Sequence, residues 1–323
     1  MRKISFIMLG IFILSITLIG CNKKSPVGPN NSAPKSNTND LSSSNDTYKI
    51  IYANNNAKFI YIVTTSGETK EGIQFPNNVS CISGISKATA NDTFLCLAGA
   101  GPYSIGILDL TNTYPIRYYL KLGAEFKQIY SSDSIYSNLQ APRLSPNNQE
   151  IVWSGYGPGC YSLYVRKSNG EIITENIPQY YHIKNPCWLS DQQIIFCGHN
   201  FETNKRDLCI INNDLDLTSI QIITSFKTDH FPTDTTDDGY VLLSGDENNP
   251  EIAKMNISDT SDYTTLSNFG ENAHYSHDKQ KIVFTVPQSS SIFCDIYIMN
   301  HDGSNKKKVK QNVSAQNVFF VNP

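Results

Sequence analysis

Three side chains share one sequence context and have the chemistry to hold a ligand. They are Arg143 before Leu144, His230 before Phe231 and His274 before Tyr275. Cys187 before Trp188 takes the same place in a fourth segment. A guanidinium and two imidazoles brought together would hold an anionic group, and the two imidazoles alone would suit a metal ion. The plainer reading is that the two-residue period of a strand turns them under a neighbour, or leaves them at a surface with no ligand. No catalytic signature accompanies them: there is no Gly-x-Ser-x-Gly elbow, no His-Glu-x-x-His pair, no phosphate loop and no Cys-x-x-Cys spacing. No catalytic residue, cofactor or resident metal is therefore assigned.

What places these residues alike is a repeat. A polar turn, a short apolar strand, a loop, a second alternating strand and a tight turn recur along the chain. The best copy runs from Tyr275-Ser276-His277-Asp278 through Ile282-Val283-Phe284 to Asp295-Ile296-Tyr297-Ile298-Met299 and Asp302-Gly303. Others start at Leu144-Ser145-Pro146-Asn147 and Trp188-Leu189-Ser190-Asp191. Ser145 and Leu189 are 44 residues apart, and the 87 residues from Leu189 to Ser276 leave room for a degenerate copy at Phe231, Asp237-Asp238-Gly239 and Tyr240-Val241-Leu242-Leu243. A period in the low forties with several short strands per unit is that of a propeller blade.

Looser copies at Lys49–Val63 and Phe94–Leu110 precede these, and Val318-Phe319-Phe320-Val321 is a lone apolar strand with no partner in its own unit. Its simplest use is to complete the first blade and close the ring. The expected fold is an all-β, six-bladed propeller of four-stranded antiparallel blades, with five or seven blades as alternatives.

The pattern of these turns followed by Asp295-Ile296-Tyr297-Ile298-Met299-Asn300 and Asp302-Gly303-Ser304-Asn305 resembles the TolB-type propeller repeat. His277 stands where that repeat carries Pro, and Lys279 where it carries Gly. The resemblance implies a protein that works by docking other proteins. Asp207 and Asp295 recur before the third strand of their units, which points to a structural hydrogen bond, since chemistry needs one asymmetric site. Asn147, Asp191 and Asp278 read as Asx turns, His277 as a turn residue, and Asn169-Gly170 and Asp302-Gly303 as hairpin turns.

The N-terminus carries a second message. Arg2 and Lys3 precede a nearly continuous apolar run, Ile4 to Ile19, that ends in Gly20-Cys21. So short a run with a basic start reads as a secretory signal over residues 1–20, and a small residue before Cys resembles a bacterial lipobox. That resemblance implies acylation of Cys21, palmitate among its chains. Residues 21–46 are rich in Asn, Ser, Pro and Lys and cannot bury enough surface to offset their ordering entropy, so they read as a disordered tether. The propeller then occupies residues 47–323. Asn22 is not the Asp of an inner-membrane retention signal, which points to an outer-membrane anchor facing the periplasm.

A formal net charge of −3 leaves no footprint for nucleic acid, and Lys306-Lys307-Lys308 with Lys310 reads as an exposed connection. Eight cysteines less Cys21 leave an odd seven, so complete pairing within one chain is impossible. Cys187, Cys197 and Cys209 fall on successive strands of one blade, where a disulfide is conceivable only in certain registers. Tyr114, Tyr118, Tyr119, Tyr130 and Tyr136 crowd a long connection over 111–140, and Tyr180-Tyr181 falls in another. Tyrosines in such places suit recognition of protein or carbohydrate, or packing of an irregular insertion.

The expected function is a monomeric, lipid-anchored envelope scaffold. It would bind a protein or polysaccharide and touch the membrane only through the lipid on Cys21. The alternative is a propeller enzyme, or a small-ligand or metal binder, that uses a channel-mouth ring of Arg143, His230 and His274.

Overall fold

The computed structural model describes residues 48–54, 59–74, 82–87, 93–98, 104–109, 116–121, 140–157, 160–227, 230–245, 249–288 and 292–321. The signal, the tether and Cys21 lie outside the described residues, as do Cys81, Tyr114, Tyr130 and Tyr136. No helix among the described residues is long and apolar enough to cross a membrane.

The strands form six four-stranded antiparallel sheets. Blade 1 takes β1 (Lys49–Asn54), β2 (Phe59–Thr64) and β3 (Thr69–Gln74). Blade 2 is β4 (Ile82–Lys87), β5 (Thr93–Ala98), β6 (Ser104–Asp109) and β7 (Ile116–Lys121). Blade 3 is β8 (Gln140–Leu144), β9 (Ile151–Gly157), β10 (Cys160–Arg166) and β11 (Ile172–Glu175). Blade 4 is β12 (Tyr180–Trp188), β13 (Gln193–Asn200), β14 (Lys205–Asn212) and β15 (Gln221–Phe226). Blade 5 is β16 (His230–Thr235), β17 (Tyr240–Gly245), β18 (Ile252–Asn256) and β19 (Tyr263–Ser267). Blade 6 is β20 (Glu271–Tyr275), β21 (Lys281–Pro287), β22 (Cys294–Asn300) and β23 (Lys307–Val313). The last strand, β24 (Ala315–Val321), pairs antiparallel with β1, Phe320 opposite Ile50 and Phe319 opposite Ile51, so blade 1 is completed from the far end of the chain.

The inner strands touch in sequence, β24 to β4, β4 to β8, β8 to β12, β12 to β16, β16 to β20 and β20 back to β24, which closes the ring. The second and third strands of a blade are buried on both faces because each face meets a neighbouring blade. Thus Val152 and Leu163 of blade 3 pack with Phe196 and Ile211 of blade 4. Ile195 and Leu208 of blade 4 pack with Val241 and Leu243 of blade 5. Val283 and Ile296 of blade 6 pack with Ile50 and Phe320 of blade 1. At about 1.5–3 kcal/mol per large side chain fully buried, these seams carry the fold.

The turns are built as their residues dictate. Gly170 (φ 89°) and Gly303 (φ 83°) close the β10–β11 and β22–β23 hairpins in the left-handed region. Lys279, at the glycine place of the repeat, is also left-handed at φ 59°. The Asx reading holds for Asn147 and Asp278, whose Oδ1 atoms accept the N–H of Gln149 at 2.9 Å and of Gln280 at 3.0 Å. Asp191 differs: its Oδ1 accepts the Asn147 N–H across the seam between blades 3 and 4. Two expectations about tyrosines also change. Tyr118 and Tyr119 lie on β7 rather than in a connection, and Tyr180-Tyr181 begins β12. Cys187, Cys197, Cys209 and Cys294 are all free and buried, with no disulfide within blade 4.

Candidate functional site: the channel mouth

The inner strands β8, β12, β16 and β20 all run toward the first hairpin turn of their blades. A backbone bond spans the base of each turn: Ser145 N–H to Glu150 O, Leu189 N–H to Gln193 O, Thr236 N–H to Tyr240 O and Ser276 N–H to Lys281 O, at 2.8–2.9 Å. The residues two places earlier are Arg143, Cys187, Asp234 and His274. They pair with Val152, Ile195, Leu242 and Val283, the same place on each second strand. Phe319 opposite Ile51 takes that place in blade 1, and Ser86 opposite Leu95 takes it in blade 2.

His230 is not a member of this ring. It begins β16, four residues before Asp234, so at about 3.3 Å per residue it sits about 13 Å away, toward the opposite face. There its ring stacks on Phe226 (centroids 4.5 Å) and its Nε2 lies 3.2 Å from Glu251 Oε2. Burial opposes ionisation of Glu251. Hydrogen bonds from Thr265 and His230 outweigh it and hold the carboxyl below its usual range. His230 and His274 therefore do not share a site. Among the described residues no group of three or more His, Cys, Asp or Glu comes together to hold a metal.

The aromatic Phe231 favours an alignment of this blade on His230. The true anchor place of β16 holds the small Thr235, and only counting back from the Thr236–Gly239 turn finds Asp234.

Arg143 and His274 do meet, across Phe319. The Arg143 Cζ is 5.6 Å from the Phe319 ring centroid, and the His274 ring is 4.1 Å from it at 32°. Phe319 is 1% exposed, His274 2% and Arg143 8%. Arg143 also neighbours Cys187. Burial pushes that thiol up, against the pull of the guanidinium, and its Sγ donates to Pro232 O at 3.5 Å.

Asp234 is engaged: Oδ2 accepts the Tyr275 N–H at 3.0 Å, and Oδ1 faces Lys279 Nζ at 3.7 Å. The seams between blades 3 and 4 and between blades 4 and 5 are tied by Trp188 Nε1–H to Arg143 O at 2.9 Å and Thr235 Oγ1–H to Trp188 O at 2.9 Å.

Together these walls enclose a cavity of about 380 Å³, lined by Arg143, Trp188, Asp234, His274 and Phe319. Pro146, Asp237, His277 and Lys279 from the hairpin turns form its rim, so the cavity is the channel mouth on the turn face. His277 thus lies at the rim as well as in its turn. The opposite face of blade 4 carries a second grouping. Tyr181 Oη is 2.6 Å from His199 Nε2, and His182, His199, Lys184 and Arg206 line a cavity of about 10 Å³. Burial, then Lys184 and Arg206, push the His182 imidazole below its ordinary value. That cavity has space for no more than a water.

The recurrent acids are structural. Asp207, 2% exposed, accepts from Tyr180 Oη at 3.1 Å, Asn200 Nδ2 at 3.0 Å and Ser225 Oγ at 2.6 Å. Tyr180 reaches it by lying over Gly198, where a Cβ would come within 2.7 Å of the tyrosine ring. Asp295, on the third strand of blade 6, accepts from Gln288 Nε2 at 2.8 Å, Asn312 N–H at 3.1 Å and Lys308 Nζ at 2.5 Å.

Six four-stranded sheets, a ring of inner strands around a charged mouth and closure by the last strand define a TolB-like β-propeller. Solved structures agree. TolB from Acinetobacter baumannii is similar over 85% of this chain and 67% of its own, with 16% identity and a TM-score of 0.64. A putative TolB from Agrobacterium tumefaciens is similar over 84% and 92%, with 11% identity and a TM-score of 0.55. A nidogen/laminin complex gives a TM-score of 0.60 at 10% identity over 84% of this chain and 98% of that one. At these identities the likeness is one of fold. No known protein family and no curated protein matches the sequence.

Proposed function

We propose that this chain is a lipid-anchored bacterial envelope protein whose propeller is a non-catalytic docking scaffold for a protein or an envelope polymer. The observation that carries the reading is the channel mouth. It is an open cavity of about 380 Å³ whose rim mixes Asp237, His277 and Lys279 with Pro146. Such a surface offers shape and charge for recognition. The TolB-like fold supports a binding role by analogy. Arg2, Lys3, the apolar run to Ile19 and Gly20-Cys21 support export and acylation of Cys21, with the membrane reached through that lipid alone. The second reading, a small-ligand site, keeps Arg143 and His274 but loses His230.

Two experiments bear on this. Cys21→Ser should move the protein from the membrane to the soluble envelope fraction; continued membrane association would refute the lipid anchor. A photo-crosslinking residue at Asp237 on the turn face should trap an envelope partner, while one at Phe201 on the opposite face should not. Trapping only from Phe201 would refute the turn face as the docking surface.

A further inference from the structure

We propose that the channel cavity binds a carboxylate group through Arg143. The proposal deepens the reading above, because it rests on the channel mouth being the binding face. Arg143 is 92% buried (8% exposed) and lines the cavity, yet its Nη1 meets no hydrogen-bond acceptor among the described residues. Guanidinium stays charged at any physiological pH and cannot escape the cost of burial by losing its proton. A buried guanidinium nitrogen without an acceptor is unfavourable, and the Phe319 ring and the Cys187 thiol beside it carry no negative charge to answer the cation. The neighbouring carboxylate on the ring, Asp234, is turned to the Tyr275 N–H and Lys279 instead. Phe319 lies under the guanidinium and is backed by His274, which fixes the plane that the cation presents to the cavity.

A volume of about 380 Å³ falls within the range of roughly 300–1,000 Å³ typical of small-ligand sites. The charge balance selects the anion. Lys279 is matched by Asp234, and Asp237 stands exposed in water at the rim, so among the described residues of the cavity Arg143 is the cation left to be met. A single negative charge meets it. A dianion would face Asp234 and Asp237 at close quarters. A planar carboxylate is the monoanion whose geometry suits a guanidinium edge. It can come from a small free acid or from the terminus of an extended peptide.

The test is thermal unfolding of the full chain in a non-ionic detergent, for wild type and Arg143→Met. Probes are sodium acetate, a tetrapeptide with a free C-terminus, its C-terminal amide and sodium phosphate, each against sodium chloride at matched ionic strength. We expect acetate, the acid peptide or both to raise the wild-type Tm saturably. Arg143→Met should weaken that binding at least tenfold, and the amide should do nothing. A response to acetate identifies a free acid as sufficient; a response to the acid peptide alone identifies a chain terminus.

Equal responses in wild type and variant, no response to either carboxylate, or tighter binding of phosphate would overturn the proposal. If Arg143→Met does not fold, Arg143→Lys replaces it, with severalfold weaker carboxylate binding expected; unchanged affinity would overturn the proposal. Crosslinking from Asp237 separates the two readings. Trapping that persists while carboxylates fail removes the anion site and leaves docking. Arg143-dependent acetate binding with no trapping from that face does the reverse.

Discussion

Asp207 on the third strand of blade 4 and Arg143 on the inner strand of blade 3 are both buried charges, 2% and 8% exposed. Their surroundings differ sharply. Asp207 is met by three donors from the second strand, the fourth strand and the start of β12, and Asp295 in blade 6 is likewise met by three, from Gln288, Lys308 and Asn312. Arg143 is unlike its equivalents at Cys187, Asp234 and His274, and one of its nitrogens meets no acceptor. A polar group that recurs from blade to blade with its bonds satisfied belongs to the fold's own construction. One that faces a cavity with a nitrogen unsatisfied is open to a partner from outside the fold.

The most severe way to break the contrast is to remove what both regions stand on. Deleting residues 318–323 takes away Val318, Phe319, Phe320 and Val321, all 5% exposed or less. At about 1.5–3 kcal/mol each, the loss is about 6 kcal/mol or more, comparable with the whole stability of a domain. No cooperative thermal transition should survive; an unchanged Tm would show that β24 is dispensable.

Asp207→Ala removes the acceptor shared by the Tyr180, Asn200 and Ser225 donors, and should cost about 3 kcal/mol in urea unfolding. A cost below about 1 kcal/mol would remove the structural reading of that acid.

Asp295→Asn should be milder, about 1 kcal/mol, because its Lys308 partner is 44% exposed. Burial opposes ionisation of Asp295, but Lys308, Asn312 and Gln288 outweigh it and hold the carboxyl below its usual range. A depressed folded value means that the contribution is present above about pH 4 and lost as pH falls through that value. The gap between wild type and Asp295→Asn should therefore close on acidification, and a gap that widens would reverse the assignment.

The smallest effect is the most telling. Without ligand, Arg143→Met should lie between no change and a gain of about 1 kcal/mol, since it replaces a buried cation that has an unsatisfied nitrogen by an apolar side chain of similar volume. A loss as large as that of Asp207→Ala would make the two charges alike.

Much of the fold was legible because its cues are local. Asp302-Gly303 and Asn169-Gly170 are the hairpin turns their residues spell, and Lys279 occupies the left-handed place the repeat reserves for glycine. The apolar tail found its use as the edge of blade 1 because no other partner existed for it in its own unit. The site was legible only in part. Arg143 and His274 fell at true ring places because their anchors, Leu144 and Tyr275, are large. In blade 5 the anchor is Thr235, and the nearby Phe231 drew the alignment four residues toward the wrong face, to His230. β7 escaped notice because its tyrosines read as an insertion, and Tyr180 because a strand extended by a bulge looks like a loop followed by a strand.

The pairing of β24 with β1 also sets an order of events during biogenesis. The two strands come from opposite ends of the propeller sequence, so closure is a contact of very long sequence separation. A nascent chain can assemble blades 4 and 5 as they emerge. Blade 1 still shows a bare strand edge until synthesis is nearly finished, and an interrupted chain keeps that edge available for wrong pairing. The slow, quality-determining step of maturation is thus assigned to the first blade made, which must wait for the last strand.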